Sequence, residues 1–243
     1  MPFRHITSLA QSWLALVAGL TLCAAAHAQS TCSSDGHASP RAVRERFLSA
    51  QCADCWATAG SPVPAGTVAL DWIVPSADQG DEAPLSAAAT RDSLERLPRW
   101  GLTEEAVRQS ASTALEKNHP PATRQGRLRV AQGRAVNDYI GTSVQWRSSQ
   151  KQAGQSLWLL LVEALPAGTE GSPVARLLVR NSLNLELPRP ASKPWRELRA
   201  MRIPEGANPE RLQLLGWVQD AQGRMLAISE TVCENTPETG TGR

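Results

Sequence analysis

Two cysteines three positions apart, Cys52-Ala-Asp-Cys55, are the residues of this chain whose type and spacing best suit chemistry. Such a pair can close a local disulfide or exchange one, with Cys52 as the attacking thiolate and Cys55 as the resolving thiol. The run before it, Ala42 to Leu48, reads as a strand, and a short helix follows it. A sulfur at a helix start meets unpaired N–H groups and the positive end of the helix dipole, which favour the thiolate. Asp54 places a negative charge between the sulfurs and acts in the opposite sense. The other reading is a plain stabilising disulfide, and the spacing does not choose between them.

The compartment bears on that choice. Arg4 and His5 precede an apolar stretch from Trp13 to Ala26 that ends in Ala26-His-Ala28. This order of charged region, apolar region and A-x-A site predicts a secretory leader over residues 1–28. A spanning helix needs about 20 apolar residues, so cleavage is expected rather than stable membrane insertion. The mature chain is then periplasmic or secreted. It is close to neutral, since the whole carries 25 Lys and Arg against 23 Asp and Glu and the leader removes only Arg4. No basic block or aromatic–basic interleaving points to nucleic acid.

Of the five cysteines, Cys23 leaves with the leader, and Cys32, Cys52, Cys55 and Cys233 remain. An even count in an exported chain predicts full pairing, with three connectivities possible. The short loop favours Cys52–Cys55, which joins Cys32 to Cys233 across about 200 residues as a structural staple. Tryptophan is abundant, eight residues against two Phe and one Tyr in the whole chain. These indoles read as core, or as a groove on which a ligand stacks.

The elements that must position the pair follow from patterning. Thr67 to Val74 is the clearest strand of the first half. Gly60, Pro62 and Pro64 cut the helix after Cys55 short. Helices are expected over 85–97 and 103–117, the second with Thr103 as N-cap and Glu104-Glu105 in its first turn. Leu128 to Ala131 is a short strand, with Gln132-Gly-Arg134 as the turn after it. In the strand 42–48, Arg44 and Arg46 lie on one alternating face, unusual for a strand buried on both sides. The second half has strand-like runs at 157–162, 175–179, 183–187, 212–218 and 225–229, with Asp220-Ala-Gln-Gly223 as a hairpin turn.

These pieces resemble an uncharacterised family of exported bacterial proteins with a thioredoxin-like first half. The likeness rests on Arg46-Phe-Leu-Ser-Ala-Gln-Cys52-Ala-Asp-Cys55, on Leu70-Asp71-Trp72, and on Ala131-Gln-Gly133-Arg134 followed by Tyr139-Ile-Gly141. It extends to Arg196-Glu-Leu198 and to Trp217-Val-Gln219 with Gly223-Arg-Met-Leu226. The resemblance implies an α/β thioredoxin-like domain over 29–148, a mainly antiparallel β domain (sheet or sandwich) over 149–234, and a disordered tail over 235–243. It also implies thiol–disulfide exchange on periplasmic proteins bearing thiols or disulfides. Alignment on the Gly-Arg turn puts Arg127 where such folds place a cis-proline facing the cysteines. A non-proline cis bond costs roughly 2.5–4 kcal/mol, so Arg127 departs from the pattern and is expected to act on the Cys52 thiolate through its charge.

Other chemistries have less support. A metal bound by the cysteines would need His37 or His119 as a further ligand. No nucleophile elbow, phosphate loop or dinucleotide fingerprint is present, and no cofactor is called for. The sequence therefore leaves two readings: a thiol–disulfide oxidoreductase acting through Cys52 and Cys55, or a non-enzymatic binding or structural protein whose cysteines only stabilise. It indicates no oligomeric state.

Overall fold

The computed structural model describes residues 32–110, 113–150, 152–189 and 193–233. The expected leader and the tail after Cys233 lie outside the described residues. In chain order the elements are β1 (Cys32–Ser33), β2 (Ala42–Ser49), α1 (Ala53–Ala57), β3 (Thr67–Val74), α2 (Arg91–Arg96), α3 (Glu104–Gln109) and β4 (Leu115–Asn118). There follow β5 (Gly126–Val136), β6 (Tyr139–Ser148), β7 (Ser156–Leu165), β8 (Arg176–Glu186), β9 (Trp195–Arg202), β10 (Leu212–Gln219), β11 (Met225–Glu230) and β12 (Val232–Cys233).

Among the described residues the strands make two sheets. One has the order β12-β1-β5-β6-β9, and the larger one β11-β10-β7-β8-β3-β2-β4. Pairing is antiparallel except that β3 runs parallel to β2 along its length and touches β8 in parallel at Asp71↔Leu178. Strands from before and after residue 149 mix in both sheets.

This overturns the expected thioredoxin-like α/β half: the described residues are mostly β, and the helices among them are too short to form helical layers. The reasons are local. The chain is already extended at Thr58, ahead of Gly60 and the two prolines, so α1 has five residues. The helix expected over 85–97 becomes a 3-10 turn, Ser86–Ala88, and the six-residue α2. A second 3-10 turn with Pro98 in its first turn then ends at Gly101, whose φ is 63°. Thr103 does cap α3, its side chain accepting from the Ala106 N–H, but α3 ends at Gln109. The remainder of the predicted helix is β4, an edge strand with Glu116 opposite Arg46. Gln132-Gly133-Arg134 is an irregularity within β5, and the reversal comes later, at Asn137-Asp138, both with positive φ. Trp195–Arg202 is strand, and the two short runs at 175–187 fuse into β8.

The core follows strand alternation. Leu157, Leu159 and Leu161 of β7 pack with Val130, Val144 and Trp146 of the smaller sheet. Trp158, Leu160 and Val162 turn to the opposite face, among Trp72, Trp217, Leu97 and Val107. A third cluster lies under α1, where Cys52, Cys55 and Trp56 meet Leu48, Ile73 and Leu178. Most tryptophans are thus core. Both expected disulfides are present, Cys32–Cys233 and Cys52–Cys55. The first joins directly opposed residues of β1 and β12 at the margin of the smaller sheet.

Candidate functional site

Cys52 stands at the N-cap of α1, and its sulfur accepts from the Cys55 N–H at 3.1 Å. The strand-to-helix setting read from the sequence is therefore real, but the pair is closed and covered: Cys52 is 7% exposed and Cys55 5%. Trp56 packs beside them and fixes its ring by donating from Nε1 to the Glu170 carbonyl at 2.7 Å. Asp54 is exposed.

The cation beside the pair is Arg176, from the start of β8. Its Nη2 donates to the carbonyls of Trp56 (2.6 Å), Thr58 (2.8 Å) and Cys55 (3.4 Å), which are the carbonyls α1 leaves without partners at its end. Nη1 donates to Asp71 at 3.1 Å and Nε to the Ser172 hydroxyl at 2.7 Å, while the guanidinium lies 4.5 Å from the centre of the Trp56 ring. Asp71, fully buried, also holds Arg46, with Nη2 at 2.8 Å from Oδ2 and Nε at 2.7 Å from Oδ1. The second contact is an ion pair without hydrogen-bond alignment. Burial pushes the Asp71 carboxyl upward, and the two arginines offset this only in part.

Arg127 takes no part in this. It stands on β5, exposed, opposite Arg147 in the smaller sheet, where its charge helps lower the Asp35 carboxyl behind the larger effects of Arg129. The expected placement of Arg127 against the cysteines is corrected to Arg176, because β5 lies in the other sheet.

A second buried cluster occupies the opposite face of β2. Glu45 is fully buried and accepts from Arg96 Nε at 2.8 Å and Nη2 at 2.7 Å, and from Trp72 Nε1 at 3.1 Å. Trp100 Nε1 also donates to it. His119 Nε2 lies 3.0 Å from Glu45 Oε2, and since a carboxylate only accepts, that nitrogen carries the proton. Its 3.3 Å approach to Arg96 is then a contact between two donors. The Arg96 guanidinium lies 4.3 Å from the Trp158 ring centre and 5.3 Å from that of Trp217. Burial alone would raise the Glu45 carboxyl, but the His119 hydrogen bond and the Arg96 charge more than offset it, bringing it down to about 2. His119 is therefore committed to Glu45 across the sheet from the cysteines, not held ready beside them as a metal ligand. His37 is exposed in the loop after β1.

Two cavities flank the Arg46–Asp71–Arg176 group. One of about 300 Å³ is walled by Cys55, Thr58, Ser61, Glu116 and both arginines. The other, about 500 Å³, is walled by Pro62, Val63, Leu165, Pro166 and Leu177 and shares Arg46, Gly60, Ser61 and Arg176 with the first. A third, about 630 Å³, opens beside Trp100, His119 and Arg224.

Asp71, Arg176, Glu45 and Arg96 were missed from the sequence, although one signal was available. Arg46 on a strand hydrophobic enough to be central demanded a buried carboxylate, and Asp71 stood in the next strand.

No protein-family model matches this chain, and no curated protein matches it. Two solved structures are similar to it. An Agrobacterium tumefaciens protein solved by structural genomics is 12% identical, with 82% of this chain and 97% of that one covered and a TM-score of 0.42. HBP35 of Porphyromonas gingivalis is 9% identical, with 86% and 80% covered and a TM-score of 0.43. Likenesses this weak say nothing about activity. No helix among the described residues is long and apolar enough to cross a membrane.

Proposed function

We propose that this chain is an exported, non-enzymatic binding protein in which both disulfides serve only to stabilise the fold. The observation that carries this reading is the closed Cys52–Cys55 bridge, buried among Leu48, Ile73 and Trp56, with the end of its helix tied down by Arg176. An exchange-active disulfide needs an accessible sulfur for the incoming thiolate to attack, and here packing guards both. Two disulfides also suit an oxidising compartment, the periplasm or the exterior, in agreement with the leader read over residues 1–28.

Titration of the oxidised protein against thiol–disulfide redox buffers, with mass-shift alkylation of released thiols, tests this. The expected Cys52–Cys55 potential lies below about −300 mV, the range of structural disulfides. A potential near that of oxidising exchangers, with turnover of a disulfide substrate, would establish the enzymatic reading instead.

A further inference from the structure

We infer that the two cavities meeting at Arg46 and Arg176 form one ligand site, which takes a monocarboxylate with an aliphatic tail. The inference deepens the binding reading above and rests on it, since it treats the neighbouring disulfide as inert wall. The charge balance points to an anion: two buried arginines, 7% and 4% exposed, share one carboxylate, Asp71. Asp71 lies behind the arginines and lines neither cavity; the carboxylate in the wall, Glu116, is already engaged, accepting from the Ser61 N–H at 3.1 Å and facing Arg44 at 3.4 Å.

Geometry selects the atom that receives the ligand. All three Arg176 nitrogens are spent on Ser172, Asp71 and the α1 carbonyls. Arg46 turns Nε and Nη2 to Asp71 and leaves Nη1 with no protein acceptor among the described residues. That nitrogen lies over Gly60, where a Cβ would come within 2.4 Å of it, so the bare backbone of Gly60 makes room for the guanidinium. A single unmet positive charge suits a monoanion rather than a phosphate dianion. The tail has its place in the adjoining cavity, among Val63, Leu165, Pro166 and Leu177. Most of that lining is apolar, so an aliphatic chain gains by burying its surface there.

Calorimetric titration of the oxidised mature protein with sodium octanoate, 1-octanol and sodium acetate tests the site. Octanoate should bind at least tenfold more tightly than octanol, which lacks the charge, or acetate, which lacks the tail. Arg46→Gln should erase the preference for octanoate over octanol. Should that variant fail to fold, Val63→Glu decides: Val63 is 39% exposed, so folding tolerates the change, and octanoate affinity should fall tenfold or more. Octanoate binding no tighter than octanol, no binding at all, or binding untouched by Val63→Glu would each overturn the assignment. The redox titration separates the two readings. Absent octanoate binding beside an inert disulfide sinks this site alone, and an exchange-active disulfide sinks the non-enzymatic reading whatever octanoate does.

Discussion

Glu45 and Arg46 are consecutive in β2 yet belong to two separate buried ion clusters on opposite faces of one sheet. Glu45 is gripped by Arg96, His119, Trp72 and Trp100 on the face that carries Phe47 and Trp217. Arg46 pairs with Asp71 and, through it, with Arg176 on the face that carries the Cys52–Cys55 bridge. Strand alternation enforces the split, since successive side chains point to opposite sides. Buried ion pairs of this kind are costly to break from one side, because the abandoned charge stays desolvated.

Glu45→Gln should therefore destabilise the protein by about 3–5 kcal/mol at neutral pH, as Arg96 loses its counter-charge. The pH dependence has a definite sign. The Glu45 carboxyl titrates near 2 when folded and near 4.5 when free, so its ionised form stabilises the fold above the free value. That contribution, on the order of 3 kcal/mol, is lost as pH falls from about 4.5 toward 2. Asp71, raised by burial, contributes in the opposite sense, losing stability as pH rises through its folded value. Urea unfolding of wild type and Glu45→Gln across pH 2–7 cancels Asp71 from the difference. A gap that stays constant with pH would show that Glu45 does not titrate as described.

Arg176→Gln should cost about 3 kcal/mol and make the Cys52–Cys55 bridge quicker to reduce. The guanidinium caps the carbonyls of Cys55, Trp56 and Thr58 and lies over the ring that covers the disulfide. Its loss frees α1 to open while leaving Asp71 with Arg46 alone. Chemical denaturation gives the stability, and the rate of thiol release under dithiothreitol gives the access. Unchanged reduction kinetics would mean that Arg176 does not guard the pair.

Replacing Cys32 and Cys233 together with serine should lower stability by about 2–5 kcal/mol, the usual loss for a native disulfide. The bridge joins chain positions 201 residues apart and pins β12 to β1. The Cys52–Cys55 bridge should survive in this variant, since it closes within α1 and its own cluster. Thermal unfolding with intact-mass analysis reads both outcomes. An unchanged melting temperature would refute the staple.

Arg127→Ala should leave the reduction rate of Cys52–Cys55 unaltered and shift stability by less than about 0.5 kcal/mol. Arg127 is exposed on β5 and belongs to the other sheet. A marked change in reduction kinetics would place its charge nearer to the sulfur than the fold does.

What is local was legible in the residues: β2 and β3 to within a residue, the cap at Thr103, the early end of α1, and the cysteine pairing that the short Cys52–Cys55 loop favours among three. It misled where competing local preferences were decided elsewhere. Leu115 to Asn118 continues an acceptable helical pattern, but it becomes a strand because β2 offers an unpaired edge. Gly133-Arg134 looks like a turn, yet the chain runs on because β6 pairs with β5 on both sides of the irregularity. The thioredoxin-like half failed for the same reason: β2 and β3 were read correctly, but β4 was read as helix and β5 was cut short at a turn, and strands from both ends of the chain were dealt into two sheets. Only tertiary structure brought Arg176 to Asp71, 105 residues away, and His119 to Glu45, 74 away. Desolvation makes such partners obligatory for a buried charge, but it sets no sequence spacing between them, so only the assembled sheet could say which charge would meet which.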